Sequence, residues 1–272
     1  MEGTSSQSEP WSDTTTMHVE VDARGVATVT MDRPKVRNAF DATLIAELTA
    51  VATALGADDR VRVVVLTGAG ETFSAGGDLN WMRSMKGWTV EENEGDSRRM
   101  NAMFRALYDL PKALIGRING HAIAGGTGLA AVCDIAIAVE DAKFGLTEAV
   151  LGLAPAVISP YVLRKIGISH ARALFVTGEL FGATRAHDIA LVHEVVPDAA
   201  ALDIAVEAAV ARCLRAAPHA VAVAKTIPDL SVGPLDEVTA LTPSIIAALR
   251  VGEEGQEGMQ AFFDKRPPRW AT

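Results

Sequence analysis

The sequence predicts an α/β fold followed by a helical C-terminal region, and three observations carry that expectation. Between residues 17 and 197, short runs rich in Val, Ile and Thr alternate with longer stretches of helical apolar spacing. The run 61–67 is apolar almost throughout, as a strand covered on both faces must be. Beyond Pro197 the strands stop and four helical stretches succeed one another. A chain of 272 residues, 49% of them hydrophobic, has ample material for the core such a fold requires.

Residues 1–16 are rich in Ser, Thr and Glu. They carry neither the apolar centre of a secretion signal nor an Arg-rich amphipathic pattern, and are expected to form a disordered tail. Met17–Val21 and Val26–Met31, separated by Asp22-Ala23-Arg24-Gly25, predict a β-hairpin. Asp32-Arg33-Pro34-Lys35 breaks the strand. Asp41 is placed to cap a helix, because Leu44, Ile45, Leu48, Val51, Ala52 and Leu55 then recur at helical spacing until Gly56. After the buried strand 61–67 the rhythm repeats: helix over 93–110, strand at Ala113–Ile118, helix from Gly125, strand over 134–139. The stretches 201–216, 219–230, 235–249 and Glu253–Phe263 all predict helix. The chain thus divides into a tail (1–16), a β/α core (17–197) and a helical region (198–272).

Charge and cysteine usage exclude several functions. With 34 acidic against 25 basic residues, a net charge of −9 and no Lys/Arg block, nothing favours nucleic acid or an anionic membrane as partner. The most apolar stretch, 121–139, is broken by Gly125, Gly126, Gly128 and Asp134, and predicts buried core in place of a membrane span. Cys133 and Cys213 stand far apart without metal-ligand or disulfide spacing, which points to a reducing, cytoplasmic setting. His121, His170, His187 and His193 are expected to be structural, and Ser159 lacks the elbow motif of a nucleophile. Cys133 is expected in the core, and Asp78 as a brace accepting backbone N–H groups.

Two glycine-bearing junctions stand out: Phe73-Ser74-Ala75-Gly76-Gly77-Asp78, a few residues after a buried strand, and Asn119-Gly120-x-Ala122-x-x-Gly125-Gly126, between a strand and a helix. Glycine at such places lets a ligand approach the main chain, and a helix N-terminus offers unpaired N–H donors with a favourable dipole. Taken singly, either reads as a tight turn. Further segments are Arg33-Pro34-Lys35-x-x-Asn38-Ala39, Cys133-Asp134-Ile135-Ala136, Phe144-Gly145-Leu146-Thr147-Glu148, Gly152-Leu153-Ala154-Pro155 and Phe262-Phe263-Asp264-Lys265-Arg266. In this order, over residues 17–270, they resemble the crotonase (enoyl-CoA hydratase/isomerase) family.

The resemblance implies the crotonase fold, a spiral of ββα units with a helical C-terminal region that builds trimers or dimers of trimers. It implies an acyl-CoA thioester substrate, with coenzyme A entering only as part of that substrate and no metal or redox cofactor. The thioester oxygen would lie between the N–H groups of Gly77 and Gly125, where two preorganised donors stabilise developing negative charge. Glu148 would be the acid/base, its pKa raised by burial. Ala75, Asp78, Leu79 and Gly126 would flank the substrate. Lys35, Val36 and Arg37 would line the nucleotide end of CoA, and Lys265 would reach one of its phosphates.

The chain departs from the two-glutamate hydratases at Gly128, where they carry a second carboxylate. Glu148 alone must then activate water, or else shuttle a proton between C2 and C4. Hydration across the 2,3 double bond is the preferred expectation; Δ3-Δ2 isomerisation and a non-catalytic CoA-binding role are the alternatives. Gly126-Thr127-Gly128-Leu129 with the segment from Leu153 to Leu163 most resembles bacterial methylglutaconyl-CoA hydratases, which implies a branched or glutaconyl-type substrate. Arg83, Lys86, Arg98 and Arg99 are candidate partners for a distal carboxylate only by lying in the variable region after the first glycine loop, and solvated helix-face charge is the preferred reading for each.

Overall fold

The computed structural model describes residues 11–271. β1 (Met17–Val21) and β2 (Val26–Met31) form the expected antiparallel hairpin, with Met17 opposite Met31. α1 (Ala42–Ala57) starts at its Asp41 cap, whose Oδ1 accepts the Leu44 N–H at 2.9 Å, and buries the six apolar positions that the spacing picked out. The chain returns as β3 (Val63–Gly68), buried at every residue and parallel to β2. There follow β4 (Thr72–Ser74), α2 (Leu79–Ser84), α3 (Val90–Tyr108), β5 (Ala113–Ile118), β6 (His121–Ile123), α4 (Gly125–Val132), β7 (Ile135–Val139) and β8 (Lys143–Gly145). Next come α5 (Ser159–Thr177), β9 (Leu180–Gly182), α6 (Ala183–Asp188) and β10 (Glu194–Val196), and finally α7 (Ala199–Leu214), α8 (Pro218–Ala224), α9 (Ile227–Leu230), α10 (Leu235–Val251) and α11 (Glu253–Phe263).

The strands make two sheets. One has six strands in the order β1-β2-β3-β5-β7-β10, parallel apart from the hairpin; the other has four, β4-β6-β8-β9, with only the β8–β9 pair antiparallel. Parallel pairing of β2, β3, β5 and β7 is what helical crossovers produce. The second sheet was not foreseen, since three-residue strands are too short to show an alternating pattern. α3 begins three residues before the predicted start because Thr89 and Glu92 form a reciprocal capping box, Thr89 N–H donating to Glu92 Oε2 (2.7 Å) and Glu92 N–H to Thr89 Oγ1 (3.2 Å).

Two expectations need correction at the ends. Residues 1–10 of the expected tail lie outside the described residues, but the rest is anchored at both ends: Trp11 and Thr16 are each only 6% exposed, and Trp11 belongs to the core. The Glu47 carboxylate on α1 takes both the N–H and the hydroxyl of Thr15 and of Thr16, at 2.6–2.9 Å. Composition hid this segment because its anchor lies thirty residues away. The stretch 219–230 is also two helices and not one. The chain turns at Thr226 between α8 and α9, and α9 carries Pro228 in its first turn, where the missing N–H costs nothing.

α7 starts at its Asp198 cap and buries Leu202, Ala205, Val206, Ala209 and Val210 against β3, β5, β7 and β10, so it covers the large sheet. Beyond it burial drops sharply. No residue of α10 is buried and only Ala261 of α11 is, while Leu235, Leu241, Ile246, Val251, Phe262 and Phe263 are exposed.

Candidate active site

The first glycine loop leaves β4 and runs through Ala75, Gly76 and Gly77 to α2. Gly76 sits at φ +82°, a conformation glycine adopts without strain. The neighbouring main chain is held by Phe40, whose N–H donates to Gly76 O (2.6 Å) and whose carbonyl accepts from Asp78 N–H (2.8 Å). Asp78 caps α2, with Oδ1 accepting from the N–H of Asn80 (2.7 Å) and Trp81 (3.4 Å), and its Oδ2 meets Arg33 at 3.1 Å. Arg33 also pairs with Asp41, the cap of α1, at 2.6 Å, so one guanidinium ties two helix caps together. Burial works to raise the Asp78 carboxyl, but the two N–H bonds and Arg33 outweigh it and hold the group below its usual range.

Asn38 knits the same loop to the strand before it. It is fully buried at φ +53°, in a region asparagine tolerates better than most residues. Its Nδ2 donates to Ala69 O and Thr72 O, its Oδ1 accepts from Arg33 N–H, and its carbonyl accepts from Ser74 Oγ.

The second loop enters α4. Ala124, just before the helix, has φ +49° and ψ −114°, which costs an alanine of order 1–3 kcal/mol. Its N–H donates to Gly145 O (2.7 Å) and its carbonyl accepts from Gly128 N–H (3.1 Å). Buried Thr127 fixes the helix start, its Oγ1 lying 2.6 Å from Ala122 O and 2.9 Å from Gly145 O. The loops converge: a Cβ built on Gly76 would stand 3.4 Å from Gly125 N and 3.1 Å from Ala124 Cβ. Among the described residues, neither Gly77 N–H nor Gly125 N–H donates to any acceptor. The first is held by its loop, and the second is an orphan of the helix N-terminus.

Glu148 lies in a 3₁₀ turn, Thr147–Leu151, three residues beyond the Gly145 whose carbonyl fixes Ala124. Strand pairing of Ile123 with Gly145 sets this turn beside the start of α4. Glu148 Oε2 is buried without a hydrogen-bond partner, and burial pushes the carboxyl above the 4.5 of a free glutamate. Glu148 is half-buried, and a carboxyl raised in this way is suited to proton transfer.

The enoyl-CoA hydratase/isomerase family pattern matches residues 22–272. The chain belongs to that family. A 2,3-dehydroadipyl-CoA hydratase of Escherichia coli is 32% identical over 89% of this chain and 94% of its own length. The short-chain-enoyl-CoA hydratase of Clostridium acetobutylicum is 34% identical over 89% and 92% respectively. The solved structure of an enoyl-CoA hydratase from Shewanella pealeana superposes with a TM-score of 0.92 at 35% identity, covering 98% of this chain and all of the other. The fold is therefore the crotonase fold.

Within that fold the remaining predicted residues occupy several separate places. Arg37 and Ala75 line one cavity of about 310 Å³ together with Glu71, Thr72, His121 and Ile123, and Ala75 N–H donates to Arg37 O (2.9 Å). Lys35 and Val36 form the adjoining 3₁₀ turn. Leu79 opens α2 and is exposed. Gly126 lies against the first loop, where a Cβ would stand 2.3 Å from Ser74 O, so that face of the residue serves packing. Lys265 follows α11 among the C-terminal helices.

At Gly128 the family's second carboxylate has no room: a Cβ would stand 2.4 Å from Ile158 Cγ2 and 3.0 Å from Phe104 Cε1. Sequence reasoning named the glycine but missed Ile158 and Phe104, which fill the space around it. Single apolar letters carry no signal of such a contact.

Cys133, His193 and Ser159 make structural contacts. Cys133 is buried, its thiol pushed up to about 12 by burial, with Sγ 3.1 Å from Leu129 O. His193 accepts Ala136 N–H on Nδ1 (2.9 Å), and burial lowers its pKa. Ser159 Oγ bonds Ala156 O at 2.8 Å. Among the described residues, no group of three or more His, Cys, Asp and Glu is placed to hold a metal ion, and no helix is long and apolar enough to cross a membrane.

Proposed function

We propose that the chain hydrates a 2-enoyl-CoA thioester, with Glu148 as the acid/base and the N–H groups of Gly77 and Gly125 as the donors to the thioester oxygen. Glu148 takes a proton from water as the water oxygen bonds to C3. The C2=C3 electron pair moves toward the thioester, and charge collects on its oxygen between the two donors. Glu148 then returns the proton to C2, giving a 3-hydroxyacyl-CoA. Lys35, Val36 and Arg37, with the cavity beside Ala75, suit the nucleotide end of CoA, and Lys265 suits a phosphate on either its own or a neighbouring copy.

The observation that carries this reading is the unpartnered, buried Glu148 Oε2. A carboxylate oxygen left without a donor costs free energy unless a substrate or water completes it. The test is crotonyl-CoA hydration by wild type and Glu148→Gln. Turnover should fall by about 10²–10⁴-fold while acyl-CoA affinity stays within about threefold. Equal rates for the two proteins would overturn the assignment.

Isomerisation is the second reading, favoured by the apolar filling at Gly128, which leaves one acid and a dry wall beside it. Conversion of a 3-enoyl-CoA without hydration of a 2-enoyl-CoA would select it. A branched or glutaconyl-type acyl group is the proposed substrate class, supported by the motif pattern and by the dicarboxylic substrate in the E. coli relative's name. Arg83, Arg98 and Arg99 are already bonded to Asn80, Glu94 and Asp96, so none of them supports recognition of a distal carboxylate. The exposed apolar residues of α10 and α11 support assembly into a trimer or dimer of trimers, and the two free cysteines support a cytoplasmic setting.

A further inference from the structure

We infer that Phe40 is the positioning residue that aims both backbone donors at one point. This rests on the oxyanion reading above. Gly76 C=O and Gly77 N–H belong to one planar trans peptide and point in opposite directions. The Phe40 N–H binds that carbonyl at 2.6 Å, so it fixes the Gly77 N–H to point away from Phe40. The Phe40 carbonyl takes Asp78 N–H at 2.8 Å, which pins the far side of the same residue. A carbonyl that accepts a bond also polarises the N–H of its own peptide, strengthening it as a donor.

The Phe40 side chain performs the matching task at the other loop. Its ring edge rests on Gly125, with Cε2 only 2.4 Å from where a Cβ there would stand. The main chain of Phe40 thus sets the direction of one donor, while its ring sets how closely the other approaches. Phe40 is 1% exposed and immediately precedes Asp41, which is fixed by its bonds to Leu44 N–H and Arg33. Behind it Phe104 packs edge-on, ring centroids 6.2 Å apart at 63°, and itself covers Gly128.

The test compares Phe40→Ala and Phe40→Leu with Leu55→Ala, a core truncation near the far end of α1. Three readouts are taken: Tm, the kcat and KM for crotonyl-CoA, and the enolate absorbance of bound acetoacetyl-CoA, which rises only where an oxyanion is stabilised. Phe40→Ala should lose about 100-fold in kcat with KM within about threefold, and Phe40→Leu about tenfold. The enolate band should weaken in the same order. Leu55→Ala should lower Tm with kcat and the band of folded protein unchanged. Should Phe40→Ala fail to fold, Phe40→Leu decides. Phe40 variants that lose only Tm, as Leu55→Ala does, overturn the assignment. A wild type with neither turnover nor enolate band overturns the oxyanion reading itself, and the Phe40 assignment with it.

Discussion

The two glycine loops deliver the same group, one backbone N–H each, by different means. At Gly125 the direction comes from the helix: Ala124 O is bound by Gly128 N–H, and the preceding N–H groups point out of the α4 N-terminus. At Gly77 no helix does this work. Phe40, Arg33 and Asp78 hold the loop, and the first two lie about forty residues upstream. The lesson is that the first donor is vulnerable to changes far away in sequence, whereas the second is vulnerable mainly to what is placed on it.

Substituting each glycine by alanine gives the sharpest contrast. Gly125→Ala drives a methyl into the Phe40 ring at 2.4 Å, and should cost more than about 100-fold in kcat for crotonyl-CoA. Gly77→Ala meets nothing nearer than Met82 Sδ at 3.4 Å, with Met82 Cγ at 3.6 Å and Trp81 Cζ3 at 4.0 Å, all ordinary contacts with side chains. Comparable losses in both would show that the asymmetry is absent.

A middle effect is expected from Asp78→Asn, which weakens the Arg33 link and the α2 cap together. It should lower stability by about 2 kcal/mol at neutral pH and reduce kcat by about tenfold. Its pH dependence has a definite sign. The folded-state pKa of Asp78 is depressed, so the ionised group stabilises fully above the unfolded value of about 4 and this contribution is lost as pH falls through the folded value. Urea unfolding of both proteins should show the gap closing below about pH 4; a gap that stays constant in acid would contradict the ion-pair account.

Glu148 has the opposite sign. Its folded pKa is raised, so the folded protein binds more protons and stability falls as pH rises from the unfolded to the folded value. Glu148→Gln should therefore melt above wild type near pH 7 and converge with it in acid. The acidic limb of wild-type kcat/KM, which reports the free enzyme, should have its midpoint above 4.5. The smallest effect should be Gly77→Ala, with kcat and Tm near wild type, the former within about threefold.

The same division separates what was legible in the sequence from what was not. α1 announced itself through Asp41 and six periodic apolar residues, and β3 through an unbroken apolar run. Gly77, Gly125 and Glu148 were named from local motifs, because each sits inside a short stretch whose glycines and neighbours follow one another in the chain. The support at Gly77 was not legible. Asn38 reaches residues 31 and 34 positions on, and Arg33 reaches Asp78 across 45. The filling of Gly128 joins Phe104 and Ile158 from two different helices and their flanks. The packing of Thr15 and Thr16 on Glu47 escaped for the same reason, since composition reads a segment and not its partner.

The most direct measurement is isotope-edited infrared spectroscopy of crotonyl-CoA, ¹³C-labelled at the thioester carbonyl and bound to Glu148→Gln, which keeps both donors and turns over slowly enough for the bound substrate to be observed. Two aligned N–H groups should shift the carbonyl stretch below its value in water, and Gly125→Ala introduced into the same variant should return it. A bound carbonyl whose frequency matches that in water would contradict the convergence of the two loops on one oxygen.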